Sequence, residues 1–232
     1  MTKPIRIYFS IFFSLFLYSF IGFHQQENHP PIVKIITPQN NSSFDKDASI
    51  TYKISVSDKE DGDSKFDEIN SKEVLLEVRY LKSGKVLSSD RQSNPGLNTI
   101  MTSNCVTCHN FNTKAMGPSF YDINKRYPAT KANTDSLIKR IKEGSTGIWG
   151  KEKMPAHPEL SATDIKNIAQ WIMKNATDPN VNYYVGTDGY FRFKPDAQKS
   201  TCQLTASYTD HGLKDAPGKR LRGQDAVTIH IK

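Results

Sequence analysis

Residues 104–111 read NCVTCHNF: two cysteines three positions apart, with a histidine directly after the second. Three chemistries suit that spacing: a structural zinc site, a redox-active dithiol, or a covalently attached haem. A tetrahedral zinc site needs four ligands, commonly two such pairs, and the one further cysteine is Cys202. A thioredoxin-like dithiol begins a helix after a strand and has no use for the adjacent histidine. In C-x-x-C-H both sulfurs form thioethers with the haem vinyls, and the next residue lies beneath the porphyrin as an iron ligand. Haem is the favoured reading, with Cys105 and Cys108 as attachment points and His109 as a metal ligand; zinc and the dithiol are the alternatives.

A haem attached in this way leaves one axial position open, for which the downstream chain offers Met116, Met154, His157 and Met173. Met116 is too close in sequence to reach the opposite face easily. Met173 shares helical spacing with Ile165, Ile168, Ala169 and Ile172, the pattern of a packing residue. Met154 lies in GIWGKEKMPAHPEL, where Gly and Pro forbid regular helix and hold an extended loop. A methionine there has little core to fill, so Met154 is the favoured second iron ligand.

The blocks CVTCHNFNTKAMGPSFYDINKRY, LIKRIKEGSTGIWGKEKMPAHPELS and DIKNIAQWI, in that order, resemble the small bacterial class I monohaem cytochromes c of the c-551 type, over about residues 95–176. The resemblance implies haem c on Cys105 and Cys108, with iron between His109 and Met154. It also implies that the Pro118 carbonyl accepts a hydrogen bond from the His109 imidazole, and that Arg140 and Trp149 donate to a haem propionate. One position departs: His157 stands where a familiar member of the family carries Asn near the ligating sulfur. That leaves the hydrogen bond to the methionine open, and a solvent-facing His157 is the alternative.

Helix signals agree with an all-α unit. Asn94 and Pro95 cap and start a helix carrying Leu97, Ile100 and Met101. Asp135 to Glu143 carries Leu137, Ile138 and Ile141 and stops at Gly144, while Ser161 and Asp164 make a capping box for a last helix anchored by Trp171. Three or four short helices around a haem build a core that so small a unit could not make from side chains alone.

The flanks have the opposite period. Ile50, Tyr52, Ile54 and Val56 alternate with polar residues, as do Val74, Leu76, Val78 and Tyr80; beyond the helices Phe191 and Phe193, then Cys202, Leu204, Ala206 and Tyr208, then Val227, Ile229 and Ile231 do the same. Such alternation implies half-buried antiparallel strands. With IVKIITP near residue 32 and KVLSS after Gly84, about four strands precede the haem unit and three follow it. Neither set covers its own faces, whereas seven strands make an immunoglobulin-like sandwich. PPIVKIITPQNNSSF and CQLTASYTDHGL with DAVTIHI resemble the first and last strands of exported bacterial Ig-like domains. The expected fold is multi-domain: a class I cytochrome c domain at 91–181 inserted into a split all-β Ig-like sandwich at 25–90 and 182–232. Two separate small β units are the rival. Asp58, Glu60, Asp61 and Asp63 miss the EF-hand spacing and read as a solvated acidic turn; Cys202 reads as a buried core thiol, and Asp210 and His211 as turn residues.

Lys3 and Arg6 precede an apolar run from Ile7 to Phe23, so residues 1–24 read as a signal peptide or anchor, with residues 5–23 as the membrane segment if it is retained. The protein is then exported, to the periplasm, soluble or anchored to the inner membrane. The 232 residues carry a net charge of +7 without dense Lys/Arg clusters, which argues against nucleic acid and suits an anionic protein or a membrane surface. Iron closed by His and Met has no vacant position for substrate, so the expected function is single-electron transfer between redox protein partners, a dehydrogenase or an oxidase, and not catalysis. A labile Met154 would instead give a five-coordinate enzyme or sensor for peroxide, nitrogen oxides or gas. A carbohydrate-binding β domain with an accessory haem is a third reading, and no residue selects a sugar.

Overall fold

The computed structural model describes residues 27–81, 93–194 and 201–232. Five strands come first: β1 (Ile32–Thr37), β2 (Ser43–Phe44), β3 (Ser49–Asp58), β4 (Gly62–Asp63) and β5 (Leu75–Leu81). Four helices follow, α1 (Pro95–Thr102), α2 (Phe120–Arg126), α3 (Lys131–Glu143) and α4 (Ala162–Asn175), and then β6 (Val181–Val185), β7 (Asp188–Arg192), β8 (Thr201–Thr209) and β9 (Arg222–Ile231).

Strands from the two sides of the helical segment pair with one another. In the four-stranded sheet β3 pairs with β1 and β4, and β7 joins it with Ile50 opposite Phe191. The five-stranded sheet runs β2-β9-β8-β5-β6, with Leu76 opposite Ala206 and β2 parallel to β9. Alternation along β3 turns Ile50, Tyr52, Ile54 and Val56 inward, where they share one core with Leu76, Val78, Phe191, Cys202, Leu204 and Ile229. Cys202 thus sits in a buried apolar core.

The expectation of half-buried strands holds for β1 and β3 but fails for β5 and β8, which are buried on both faces. The physical reason is the helical unit, which covers the outer face of the five-stranded sheet. Leu75 of β5 and Val181 and Tyr183 of β6 pack into the same cluster as Leu97, Phe111, Trp171 and Ile172. Glu77, on that covered face, is buried and bound by Arg79 at 2.9 Å, since a charge removed from water needs a partner.

Helix ends follow the capping rules. Asn94 accepts from the Gly96 N–H at 3.0 Å, and Ser161 from the Asp164 N–H at 3.1 Å. α3 begins four residues before the expected Asp135, capped by Thr130, and ends at Gly144 as expected. α1 and α4 cross so closely that a Cβ on Gly96 would stand 2.1 Å from the Asn167 carbonyl oxygen. Strands β2, β4 and β6 were not anticipated, and the KVLSS strand and the segment 1–24 lie outside the described residues. Among the described residues no helix is long and apolar enough to cross a membrane.

The acidic turn is a correction. Asp58 is buried, accepting from the Glu60 and Asp61 N–H groups at 3.0 and 2.7 Å, and burial pushes its pKa up. Asp61 accepts from the Tyr208 hydroxyl at 2.7 Å and the His211 N–H at 2.9 Å, and Glu60 holds His29 at 2.8 Å. Asp210 is fully buried and accepts from Asn28, Gly212 and Leu221, tying the loop between β8 and β9 to the start of the described chain. These carboxylates join loops that sequence order keeps far apart, so their spacing looked like a solvated turn.

Candidate functional site

Cys105 opens a single 3-10 turn (Cys105–Thr107) entered through Asn104, whose φ of 57° lies in the left-handed region that Asn tolerates. The turn puts the His109 N–H 2.9 Å from the Cys105 carbonyl oxygen, so thiols and imidazole project from one compact coil. The Cys105 thiol is pushed up to about 11, mainly by burial. A redox dithiol requires the opposite, a thiolate made available at neutral pH, so the dithiol reading is disfavoured. Among the described residues there is also no cluster of three or more His, Cys, Asp or Glu side chains arranged to hold a metal ion.

His109 is positioned from two directions. Its Nδ1 lies 2.7 Å from the Pro118 carbonyl oxygen, so Nδ1–H donates and Nε2 is left as the donor atom for iron. Gly117 lies against the ring, where an added Cβ would be 2.5 Å from Cε1. Burial lowers the imidazole's pKa, opposed by the Pro118 carbonyl and assisted by His157, which keeps it in the neutral form that ligates metals. The Phe120 ring stacks on the imidazole with centroids 5.5 Å apart. A neutral, oriented imidazole beside two thiols, with a glycine where a side chain would intrude, fits covalent haem.

Met154 is held by an isolated bridge to Ser145, with N···O distances of 2.9 and 3.0 Å in the two directions, and packs partly buried against the helical cluster. Gly144, at φ +82°, lets the chain turn there; a Cβ on it would reach 2.7 Å from the Met154 carbonyl oxygen. The loop beyond Met154 comes over the C-x-x-C-H coil: His157 acts electrostatically on His109, and Glu159 on Cys105. His157 is not solvent-facing, since its side chain is only 19% exposed and its Nδ1 meets Glu159 at 2.8 Å. Met173 is buried in α4 as a packing residue, and Met116 is exposed with its sulfur 3.9 Å from Cys108 Sγ.

Arg140 and Trp149 both meet Tyr127, the guanidinium 5.0 Å from the ring centroid and the indole in a T-shaped contact at 6.3 Å. Arg126, which sequence reasoning missed, lies 4.5 Å from the Trp149 ring and donates to the Ile148 carbonyl at 3.0 Å, fixing the loop that leads to Met154. Its position at the end of α2, whose Ser119 and Asp122 form a capping pair, was the available signal.

The similarity to known proteins falls on the helical part of the chain. The family model described as cytochrome C oxidase, cbb3-type, subunit III matches residues 95–172. Cytochrome c-552 of Nitrosomonas europaea is 39% identical over 70 residues, which are 30% of this chain and 68% of that protein. Cytochrome c-551 of Azotobacter vinelandii is 35% identical over 72 residues, 31% of this chain and 87% of that one. The crystal structure of wild-type Nitrosomonas europaea cytochrome c552 aligns at 35% identity over 34% of this chain and 96% of that one, with a TM-score of 0.33. Identity at that level over most of a relative's length makes the chain a member of the class I monohaem cytochrome c family, of the c-551/c-552 type, with covalent haem c and its iron as cofactor.

Proposed function

We propose that the protein is an exported electron carrier in which Cys105 and Cys108 hold the haem by thioethers and His109 and Met154 ligate its iron. The observation that carries this is the His109 imidazole, neutral, fixed through Nδ1 on Pro118 and shielded by Gly117 and Phe120. When bound, the haem supplies a one-electron ferric/ferrous couple, and the soft thioether of a methionine favours the ferrous form. The residues contribute orientation and dryness. Pro118 fixes the imidazole tautomer, the Ser145 bridge presents Met154, and Arg126 with Tyr127 steadies Trp149 beside Arg140 for contact with a propionate.

The shared core of the two flanks supports an Ig-like sandwich interrupted by the cytochrome, which would position the carrier beside its partner, a dehydrogenase or an oxidase subunit. Over residues 96–181 eleven Lys/Arg oppose seven Asp/Glu, so an acidic partner is steered in and its association rate falls as salt rises. The apolar run 7–23 directs export, with or without retention as an anchor.

The test is the full chain made in a host that attaches c-type haem. The expected product is covalently pigmented, titrates reversibly with one electron, and binds cyanide slowly or not at all. A colourless product overturns the haem assignment; a high-spin product that binds cyanide at once overturns the carrier and favours the five-coordinate enzyme or sensor. Limited proteolysis tests the sandwich: residues 25–90 that stay folded after loss of the C-terminal strands would contradict it.

A further inference from the structure

We propose that Tyr183, contributed by the β-sheet rather than by the cytochrome segment, is a positioning residue for the haem ligand His109. The proposal rests on the reading of His109 as an iron ligand. Three aromatic rings run without interruption from the imidazole to the sheet. Phe120 stacks on His109 at 5.5 Å and 25°, Phe111 meets Phe120 at 5.5 Å, and Tyr183 stacks on Phe111 at 4.8 Å and 30°. Trp171 closes the group, with its ring edge-on to Phe111, Phe120 and Tyr183 at 5.8, 5.9 and 5.5 Å. All four rings are buried.

Tyr183 sits on β6, opposite Glu77 of β5, and Leu75 and Val181 of the same sheet join its cluster. The wall behind His109 is therefore completed by the sheet, and the helices alone would leave Phe111 and Trp171 open to water on that side. Aromatic pairs prefer offset-stacked and edge-to-face arrangements, so each ring limits how the next can tilt. Interiors are close-packed, and a missing ring is answered by movement of its neighbours or by entry of water. Here the neighbour that moves is Phe111, then Phe120, then the imidazole it rests on. A wetter surround stabilises the ferric state, since solvent access sets the potential, and a turned imidazole changes the ferric spectrum.

The experiment compares the full-length holoprotein with Tyr183→Phe, Tyr183→Leu, Tyr183→Met and a control, Phe191→Leu, which removes a ring from the sandwich core, where it packs on Tyr184 on the other face of β6. The readouts are midpoint potential and the ferric electron paramagnetic resonance spectrum, whose anisotropy follows imidazole orientation. Tyr183→Leu and Tyr183→Met should make reduction less favourable, roughly three- to tenfold in the equilibrium constant, tenfold being 59 mV for one electron, and should change the spectrum. Tyr183→Phe keeps the ring and should leave both unchanged, as should Phe191→Leu whatever stability it loses. An unchanged potential in Tyr183→Leu overturns the proposal, as does an equal shift in Phe191→Leu. If the Leu variant does not retain haem, the Met variant, which preserves volume without a flat ring, decides by the same reading. Failure of the underlying assignment is seen separately, in a wild-type spectrum that lacks histidine and methionine ligation.

Discussion

Gly117→Ala places the account under direct strain. The backbone at Gly117 is not in the left-handed region, so the substitution carries no conformational penalty and acts through space alone. The new Cβ would stand 2.5 Å from His109 Cε1, 2.8 Å from Nδ1 and 3.1 Å from Nε2. Carbon atoms in contact sit about 3.5–4.0 Å apart, so relief takes a displacement of about 1 Å by the imidazole or by the 115–118 loop. Either movement breaks the 2.7 Å contact between Nδ1 and Pro118. A lost hydrogen bond of this kind costs about 1 kcal/mol and overpacking roughly 1–3 kcal/mol, which sets the expected loss at roughly 2–4 kcal/mol. The assay is guanidinium denaturation of the holoprotein, with the ferric spectrum recorded at each step. A midpoint equal to wild type with an unaltered spectrum would refute the reasoning, because the imidazole would then have room that the geometry denies it.

Further outcomes follow from the loops and the helix crossing. Gly96→Ala, whose Cβ would meet the Asn167 carbonyl oxygen at 2.1 Å and Trp171 Cβ at 2.8 Å, should separate α1 from α4 and cost on the order of 3 kcal/mol by denaturation; a cost under about 0.5 kcal/mol would be contrary. Asp210→Ala removes the acceptor for two partly buried N–H groups at 2.7 and 3.0 Å and should cost about 1–3 kcal/mol, with Asp210→Asn less severe; equal losses would argue against the hydrogen-bond account. His211 meets Asp61 at 3.0 Å and Glu73 at 3.1 Å; burial lowers its pKa, but the two carboxylates outweigh burial and raise it above 6.5. That pair therefore contributes fully below the ordinary histidine value and is lost as pH rises through the raised one. Asp61 is opposite: burial raises it, but Tyr208 and His211 hold it low, so its contribution disappears only as pH falls through that depressed value. Urea midpoints should decline on the alkaline side in wild type and flatten in His211→Gln, whereas parallel profiles would exclude the pair.

The candidate site stood out as a pattern because covalent haem attachment demands both identity and spacing, and its helices were legible because Asn94 and Ser161 announce them with caps. The long strands were equally open, since one buried face imposes period two on β1 and β3. What could not be read arises from contacts between distant segments. β6 carries Val181 and Tyr183 toward the helices and Tyr184 toward the sandwich core, so apolar residues fall on both faces and no strand was expected where the cytochrome ends and the sandwich resumes. β2 and β4 are two residues each, too short for any period. Glu77 looked solvent-facing from its place in an alternating row, and only the helices packed on β5 bury it. The acidic turn was misjudged for the same reason: the partners of Asp61, Tyr208 and His211, lie about 150 positions away.

The central claim is tested most directly by the visible spectrum of the ferric holoprotein, full length, in wild type and Met154→Ala. The account predicts a weak sulfur-to-iron charge-transfer band in the wild type, lost in the variant while haem stays attached through Cys105 and Cys108. A wild type without that band, or a variant that keeps it, contradicts the assignment of Met154 and with it the closed coordination on which the proposed carrier role rests.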